Sequence, residues 1–365
     1  MRKIIWLLFL PVALFACSDN DDNSVELTPG EITAEKEELG RLIFFDTNLS
    51  SPTGQSCASC HAPETAFSDE NHASTSPGAV QGLFGSRNSP SVTYALYIPQ
   101  LSYDNENETY VGGQFWDGRS NTLAMQAEGP FLNPIEMGNP DTATIVAKLR
   151  NAEYYDRFVI IYGRNNTVGQ DFHYMADAIA AFESTSIFKR FNSKYDEYLS
   201  GKATLTADEQ KGLELFQNKG KCANCHPLTD DPVAGEPLFT DHTYDNLGVP
   251  KNPNNRYYTI PAAYNPEGAD FVDLGLGVTV GDAAQNGKFR VQSLRNIAKT
   301  APYGHNGYFA TLKDIVHFYN VRDVDPGFPP SEYPETVNHD ELGNLGLTAI
   351  EEDAIVAFLQ TLTDK

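Results

Sequence analysis

Two pentads, Cys57-Ala58-Ser59-Cys60-His61 and Cys222-Ala223-Asn224-Cys225-His226, each place two thiols and an imidazole within one short turn of chain. That spacing suits covalent attachment of a c-type haem, in which Cys57 and Cys60, or Cys222 and Cys225, form thioethers and His61 or His226 supplies an axial ligand to iron. A zinc knuckle and a redox C-x-x-C pair use the same residue types. The repetition argues for haem. Glu38-Leu39-Gly40-Arg41-Leu42-Ile43-Phe44-Phe45 leads into the first pentad, and the similar Gln210-Lys211-Gly212-Leu213-Glu214-Leu215-Phe216 leads into the second. An internal repeat of helix, loop and attachment site is what two tandem cytochrome c units would produce, so two covalently bound c-type haems are expected.

Of the five cysteines, only Cys17 lies outside the pentads, which leaves no disulfide framework in a chain that reads as exported. Met1-Arg2-Lys3 is a positive start, Ile4 to Phe15 is an apolar run too short to span a bilayer, and Leu14-Phe15-Ala16-Cys17 resembles a lipobox. Residues 1–17 are therefore expected to be a lipoprotein signal peptide ending at a lipidated Cys17, with an ordinary signal peptide as the alternative. The acidic linker 18–30 would follow. This predicts a protein on the periplasmic side or the cell surface, lipid-anchored and in contact with the membrane only through that anchor. Attachment of c-type haem outside the cytoplasm agrees with export.

The remaining length suits two domains, placed at 31–189 and 190–365. A formal charge of −23 excludes nucleic-acid binding, which needs a basic face, and favours a basic partner such as a small cytochrome. Apolar periodicity predicts helices over 33–45, 142–158, 174–199, 206–216, 311–319 and 348–362, the fourth opened by a Thr206-x-x-Glu209 capping box. The fold class is mainly α: two tandem cytochrome c-like domains, each wrapped round one covalent haem. Loops as long as 62–114 and 227–288 fit such domains because the haem itself serves as core.

Further motifs lie between the pentads and after them. Arg87-Asn88-Ser89-Pro90, Phe115-Trp116-Asp117-Gly118-Arg119, Gln126-Ala127-Glu128-Gly129-Pro130 and Asn133-Pro134-Ile135-Glu136-Met137 are followed by Phe289-Arg290-Val291, Leu294-Arg295-Asn296 and Thr300-Ala301-Pro302-Tyr303-Gly304-His305-Asn306-Gly307. In this order they resemble the bacterial di-haem cytochrome c peroxidase family, over about residues 33–363. The segment 97–113 departs from it and reads as a surface loop.

The resemblance implies a first, peroxidatic site with His61 on the proximal side and Gln126 and Glu136 in the distal pocket. A carboxylate there makes chemical sense, because O–O cleavage needs a group that takes a proton from one oxygen and returns it to the other. Without the resemblance, Glu136 would read as a surface glutamate beside a proline turn. Trp116 matches the tryptophan between the haems, where an indole can relay electrons; packing is the alternative role for such a residue. Asn88, Thr300 and Pro302 match positions that bind one calcium ion through oxygen ligands.

Two departures bear on mechanism. Where family members carry a histidine that blocks the first haem, the loop reads Ser76-Pro77-Gly78-Ala79, and Ala79 cannot ligate iron; His72 is the nearby substitute, or a solvent-facing loop residue. Where they carry a methionine ligand to the second haem, Tyr319 stands, and the methionines at 1, 125, 137 and 175 leave none in the second domain. This matches the MauG-like branch, di-haem oxidases that act on tryptophans of another protein. A tyrosinate ligand favours the more oxidised states of iron; His305 and His317 are the other possible ligands. The expected activity is reduction of hydrogen peroxide with electrons from a small donor protein, a cytochrome c or cupredoxin. The alternative is peroxide-dependent oxidation of tryptophan or tyrosine in a protein substrate. A plain electron carrier would need both axial positions filled and no acid/base group. Family habit also implies a possible homodimer.

Overall fold

Gly40 and Gly212 each sit where two helices cross at backbone contact, and the crossings are alike. A Cβ on Gly40 would overlap the Ala178 carbonyl and lie 2.9 Å from Phe182 Cβ; one on Gly212 would overlap the Ala354 carbonyl and lie 2.9 Å from Phe358 Cβ. The first crossing joins α1 (Pro29–Phe45) to α5 (Val168–Glu183), the second α7 (Ala207–Gln217) to α10 (Ala349–Gln360). The repeat read from the lead-in segments is thus a repeat of helix packing. Gly212→Ala is expected to cost roughly 3 kcal/mol, the upper part of the overpacking range, because its obstacle is a main-chain carbonyl. Gly169→Ala is the control: it lies on α5 with open space around its Cβ, so it should be neutral or stabilising by up to ~1 kcal/mol. Denaturant midpoints of the haem-loaded variants check both, and equal midpoints would contradict the close-contact reading.

The computed structural model describes residues 28–365. The predicted signal, Cys17 and most of the acidic linker lie outside the described residues. Pro29 and Gly30, assigned to that linker, instead open α1, which Thr28 and Glu31 cap reciprocally. Around the first crossing pack α2 (Leu123–Leu132), α3 (Thr142–Arg150) and α4 (Tyr155–Tyr162); with the second go α6 (Lys194–Leu199), α8 (Leu276–Val280) and α9 (Leu312–Val321). Two large buried apolar clusters result, beside a small one of Leu83, Phe84 and Ile260. One is drawn from Leu39 to Phe188, with Cys57 against it; the other runs from Tyr195 to Leu362, with Cys222 against it. Among the described residues no helix is long and apolar enough to cross a membrane.

The Thr206 capping box forms as predicted: Glu209 N–H donates to Thr206 Oγ1 (3.3 Å), and Thr206 N–H donates to Glu209 Oε2 (2.6 Å). Elsewhere the periodicity ran through helix breaks. The predicted 142–158 helix is two, because Asn151 caps α3 and its side chain donates to Ala147 O (2.7 Å). The predicted 174–199 helix stops at Glu183, where Ser184 and Thr185 turn their hydroxyls back onto Ala180 O (2.7 Å) and Phe182 O (2.8 Å). The sequence reading missed α2 altogether; Pro130 in its last turn reads as a break. Within 97–113, expected as a loop, β1 (Ser102–Asp104) and β2 (Thr109–Val111) form an antiparallel hairpin pairing Tyr103 with Tyr110. A second short pair, β3 (Tyr244–Asp245) and β4 (Phe289–Arg290), brings Arg290 beside the second pentad's domain core.

Candidate active site

Each pentad histidine is held by the same device. His61 Nδ1 donates to Phe67 O (3.1 Å) and His226 Nδ1 to Phe239 O (2.7 Å). Because a carbonyl only accepts, the proton is on Nδ1 and the Nε2 lone pair is left free for a metal. Both phenylalanines adopt left-handed backbone, φ +57° and +54°, a conformation that costs a β-carbon residue of order 1–3 kcal/mol and here aims the carbonyl at the ring. Burial pushes the thiols up, Cys60 to about 11 and Cys222 and Cys225 to about 12. That is opposite to the low-pKa thiol of a redox pair.

At the second site a cavity is lined by Cys222, Cys225, His226 and Tyr319. Its wall combines apolar side chains such as Leu238, Leu312 and Ile355 with buried polar groups that have no partner among the described residues: both ring nitrogens of His242, and Nε of Arg290. Burial pushes His242 down to about 4, with the Arg290 charge adding to it, and Arg290 down to about 10. Unpartnered buried donors of this kind are costly unless a ligand brings acceptors. A flat apolar group carrying carboxylates, as haem does, fits that wall. Arg290 lies in a motif singled out from sequence without a role; His242 carried no signal.

The three residues considered as the second axial ligand here differ in their surroundings. His317 Nδ1 meets the Glu352 carboxylate at 2.8 Å on a half-exposed face. It lies two positions from Tyr319 on α9, so the two side chains leave the helix in nearly opposite directions. His305 is buried and lines the cavity, but its Nε2 meets Glu332 (3.2 Å) and its ring stacks on Phe289 at 3.8 Å. The Tyr319 hydroxyl has no hydrogen-bond partner among the described residues, although buried tyrosines generally find one.

At the first site Glu136 lies on the turn after α2, half-buried. The loop that lacks the blocking histidine packs directly on this turn, Ala79 N–H donating to Glu136 O (2.7 Å). Gln55 fixes the same loop to the pentad, donating to Pro77 O (2.9 Å) and Cys60 Sγ (3.4 Å). Burial raises the Glu136 carboxyl above the ordinary range; Arg119 and the Asn133 side chain act the other way. Glu136 is joined to the first pentad through the Ala79 loop and Gln55. Gln126 is half-buried on α2. Its side-chain amide has no protein partner among the described residues. His72 is exposed, with Nδ1 bonded to Ala301 O (2.9 Å) in the second half. Glu183, unnoticed in sequence, is a buried carboxyl raised to about 8 by burial beside Cys57.

The segment Asn88–Ser91 joins the sites. Its residues line the second cavity, while Pro90 presents backbone to His61. Trp116 lines the same cavity, its indole Nε1 donating to Asn88 O (2.9 Å), and Arg290 N–H donates to Trp116 O (2.9 Å). Arg87 locks this segment across the halves, pairing with Asp117 (2.7 Å) and with Asp273 (2.6 Å). Asn88, Thr300 and Pro302 all line the cavity wall.

The model of the di-haem cytochrome c peroxidase family matches residues 34–204. The chain is 38% identical over 349 residues to methylamine utilization protein MauG of Paracoccus denitrificans (strain Pd 1222), covering 90% of this chain and 88% of that protein. To cytochrome-c peroxidase IdrP2 of Denitromonas iodatirespirans it is 31% identical over 342 residues, covering 90% and 82%. Among solved structures, the diheme peroxidase BthA from Burkholderia thailandensis E264 superposes with a TM-score of 0.79 at 32% identity, covering 90% of this chain and 86% of that one. With one plan of helix crossing and histidine anchoring built twice, and relatives aligned along nearly all of it, the chain belongs to the di-haem cytochrome c peroxidase family, oxidoreductases that carry two c-type haems.

Proposed function

We propose that the protein reduces hydrogen peroxide to water at the first haem site, with electrons reaching it through the second from a small cytochrome c or cupredoxin. The observation that carries this reading is the asymmetry of the two sites. At the first, the family resemblance puts Ala79 where a ligand would block the iron, His72 is tied to Ala301, and a half-buried Glu136 is joined to the pentad through the Ala79 loop and Gln55. At the second, Tyr319 shares the cavity with His226, and the lining carboxylates Asp245 and Glu341 both accept from the Asn338 amide.

Cys57, Cys60, Cys222 and Cys225 would hold the haems, with His61 and His226 as proximal ligands and Tyr319 as second ligand at the C-terminal site. Bound haem supplies an iron that takes the peroxide and accepts its oxidising equivalents. The chain moves the protons. Glu136 accepts one from the peroxide oxygen next to the iron and returns it to the far oxygen, which leaves as water. The unpartnered amide of Gln126 orients the peroxide, and Trp116 carries electrons between the sites. Two electrons and two protons convert one peroxide to two waters.

A calcium ion fits the oxygens near Asn88, Thr300 and Pro302: Asn88 Oδ1 and the carbonyls of Thr300 and Pro302 accept no hydrogen bond among the described residues, and calcium takes carbonyl ligands readily. The reading also places a peroxidatic domain at 31–189 and an electron-transfer domain at 190–365, each with its own apolar cluster. It includes a lipid anchor at Cys17, a periplasmic or surface location, and a homodimer. Tyr319 favours a second reading, oxidation of side chains in a protein substrate, because an anionic ligand stabilises oxidised iron.

Electron paramagnetic resonance of the fully oxidised protein tests the open first site. A high-spin or water-ligated signal is expected, with peroxide reacting without prior reduction. Two low-spin signals, and no reaction until one electron is added, would mean that a residue closes the iron.

A further inference from the structure

Tyr94 is a buried phenol, 2% exposed, in the wall of the second cavity. Its N–H donates to Phe188 O (2.8 Å), and the Phe188 ring lies 4.1 Å from that of Phe67, whose carbonyl anchors His61. It therefore borders one haem site and is linked to the other through Phe188 and then Phe67. Its hydroxyl donates to Asp364 Oδ2 (2.7 Å) and accepts from Phe191 N–H (3.0 Å). Asp364 is itself buried and fixed by the Asn296 amide (2.9 Å) and Asn192 N–H (3.3 Å).

Removing an electron from a phenol is favourable only where its proton can leave as well, and the surroundings of Tyr94 enforce this coupling. The Arg295 guanidinium lies 5.0 Å over the ring, so a radical cation there meets a like charge in a low-dielectric interior. A carboxylate oxygen at hydrogen-bond distance removes the problem by taking the proton. Trp116 has no such outlet: its indole N–H faces the Asn88 carbonyl, which cannot accept a proton at neutral pH.

We propose that Tyr94 and Asp364 form a one-electron relay in the wall of the second haem site, separate from Trp116. Tyr94 gives one electron to an oxidised haem site, its O–H bond breaks, and the proton passes to Asp364 Oδ2, leaving a neutral tyrosyl radical. An electron from the donor protein restores the phenol as the proton returns. The oxidant is hydrogen peroxide acting through the haems, so the proposal rests on the peroxide reading above.

The test uses haem-loaded protein containing ring-deuterated tyrosine, mixed with hydrogen peroxide without donor and freeze-quenched for electron paramagnetic resonance. An organic radical signal that narrows on deuteration is expected, and Tyr94→Phe should remove it. Asp364→Asn keeps an acceptor for the phenol but takes no proton, and should slow radical formation by roughly 10²-fold. Resting haem spectra of both variants should match the parent; if Tyr94→Phe misfolds, Asp364→Asn decides. A tyrosine signal that survives Tyr94→Phe, or that forms at the parent rate in Asp364→Asn, overturns the relay. Haem spectra that respond to peroxide with no tyrosine signal overturn the relay alone, whereas haem spectra indifferent to peroxide overturn the peroxide reading and the relay together.

Discussion

Glu136→Gln slows the reaction of the oxidised protein with hydrogen peroxide by about 10²–10⁴-fold, the usual contribution of a positioned acid/base, while both haems stay attached. The substitution keeps volume and hydrogen-bonding atoms but cannot carry a proton from one peroxide oxygen to the other. The turn itself should survive, because Ala79 binds the Glu136 backbone carbonyl, not its side chain. Stopped-flow absorbance after peroxide addition measures the effect, and a rate near that of the parent would make Glu136 a packing residue. The same experiment has a pH signature. Burial raises the Glu136 carboxyl above the ordinary value of 4.5, so the proton-accepting form is present above that raised value and is lost as pH falls through it. The rate should therefore decline on the acid side sooner than an exposed glutamate would allow, and Glu136→Gln should lack that limb.

What could be read from sequence was what chemistry forces into contiguous residues. A covalent haem needs two thiols and an imidazole in one turn, so both pentads announced themselves; the repeated lead-in gave the tandem plan, though not the helix crossings at Gly40 and Gly212. The carbonyls that fix His61 and His226 were invisible, because nothing about Phe67 or Phe239 announces a left-handed backbone. Helix ends at Asn151 and Ser184 depend on single side chains folding back, which apolar periodicity does not register, and Pro130 hid α2, the helix that carries Gln126. The distal residues themselves were found only through resemblance to a family. Contacts between distant parts of the chain were out of reach: Arg87 with Asp273, His317 with Glu352, and Tyr94 with Asp364 join residues with no common local pattern. The structure sets His305 and His317 each against a glutamate, contacts that no local pattern in the sequence announces.

Tyr319→Phe should change the spectrum of the second haem in the resting protein and abolish any sharing of oxidising equivalents between the haems after peroxide is added. Phenylalanine fills the same space on α9 and offers no oxygen to iron. An unchanged second-haem spectrum would remove Tyr319 as a ligand. The parent protein then separates the two activities. If its oxidising equivalents serve a remote protein substrate, tyrosine ligation at the second site and Trp116 between the sites should hold them for a long time after peroxide alone, and a reduced small cytochrome or cupredoxin should not shorten that time. If they serve peroxide removal, the oxidised state should collapse as soon as the donor is supplied, with steady turnover. Stopped-flow spectra with peroxide alone, then with donor, distinguish these outcomes. Rapid donor oxidation is expected on the proposed reading, in which an unblocked first site uses Glu136 for repeated proton transfer to peroxide, and a persistent state indifferent to donors would instead establish side-chain oxidation as the function.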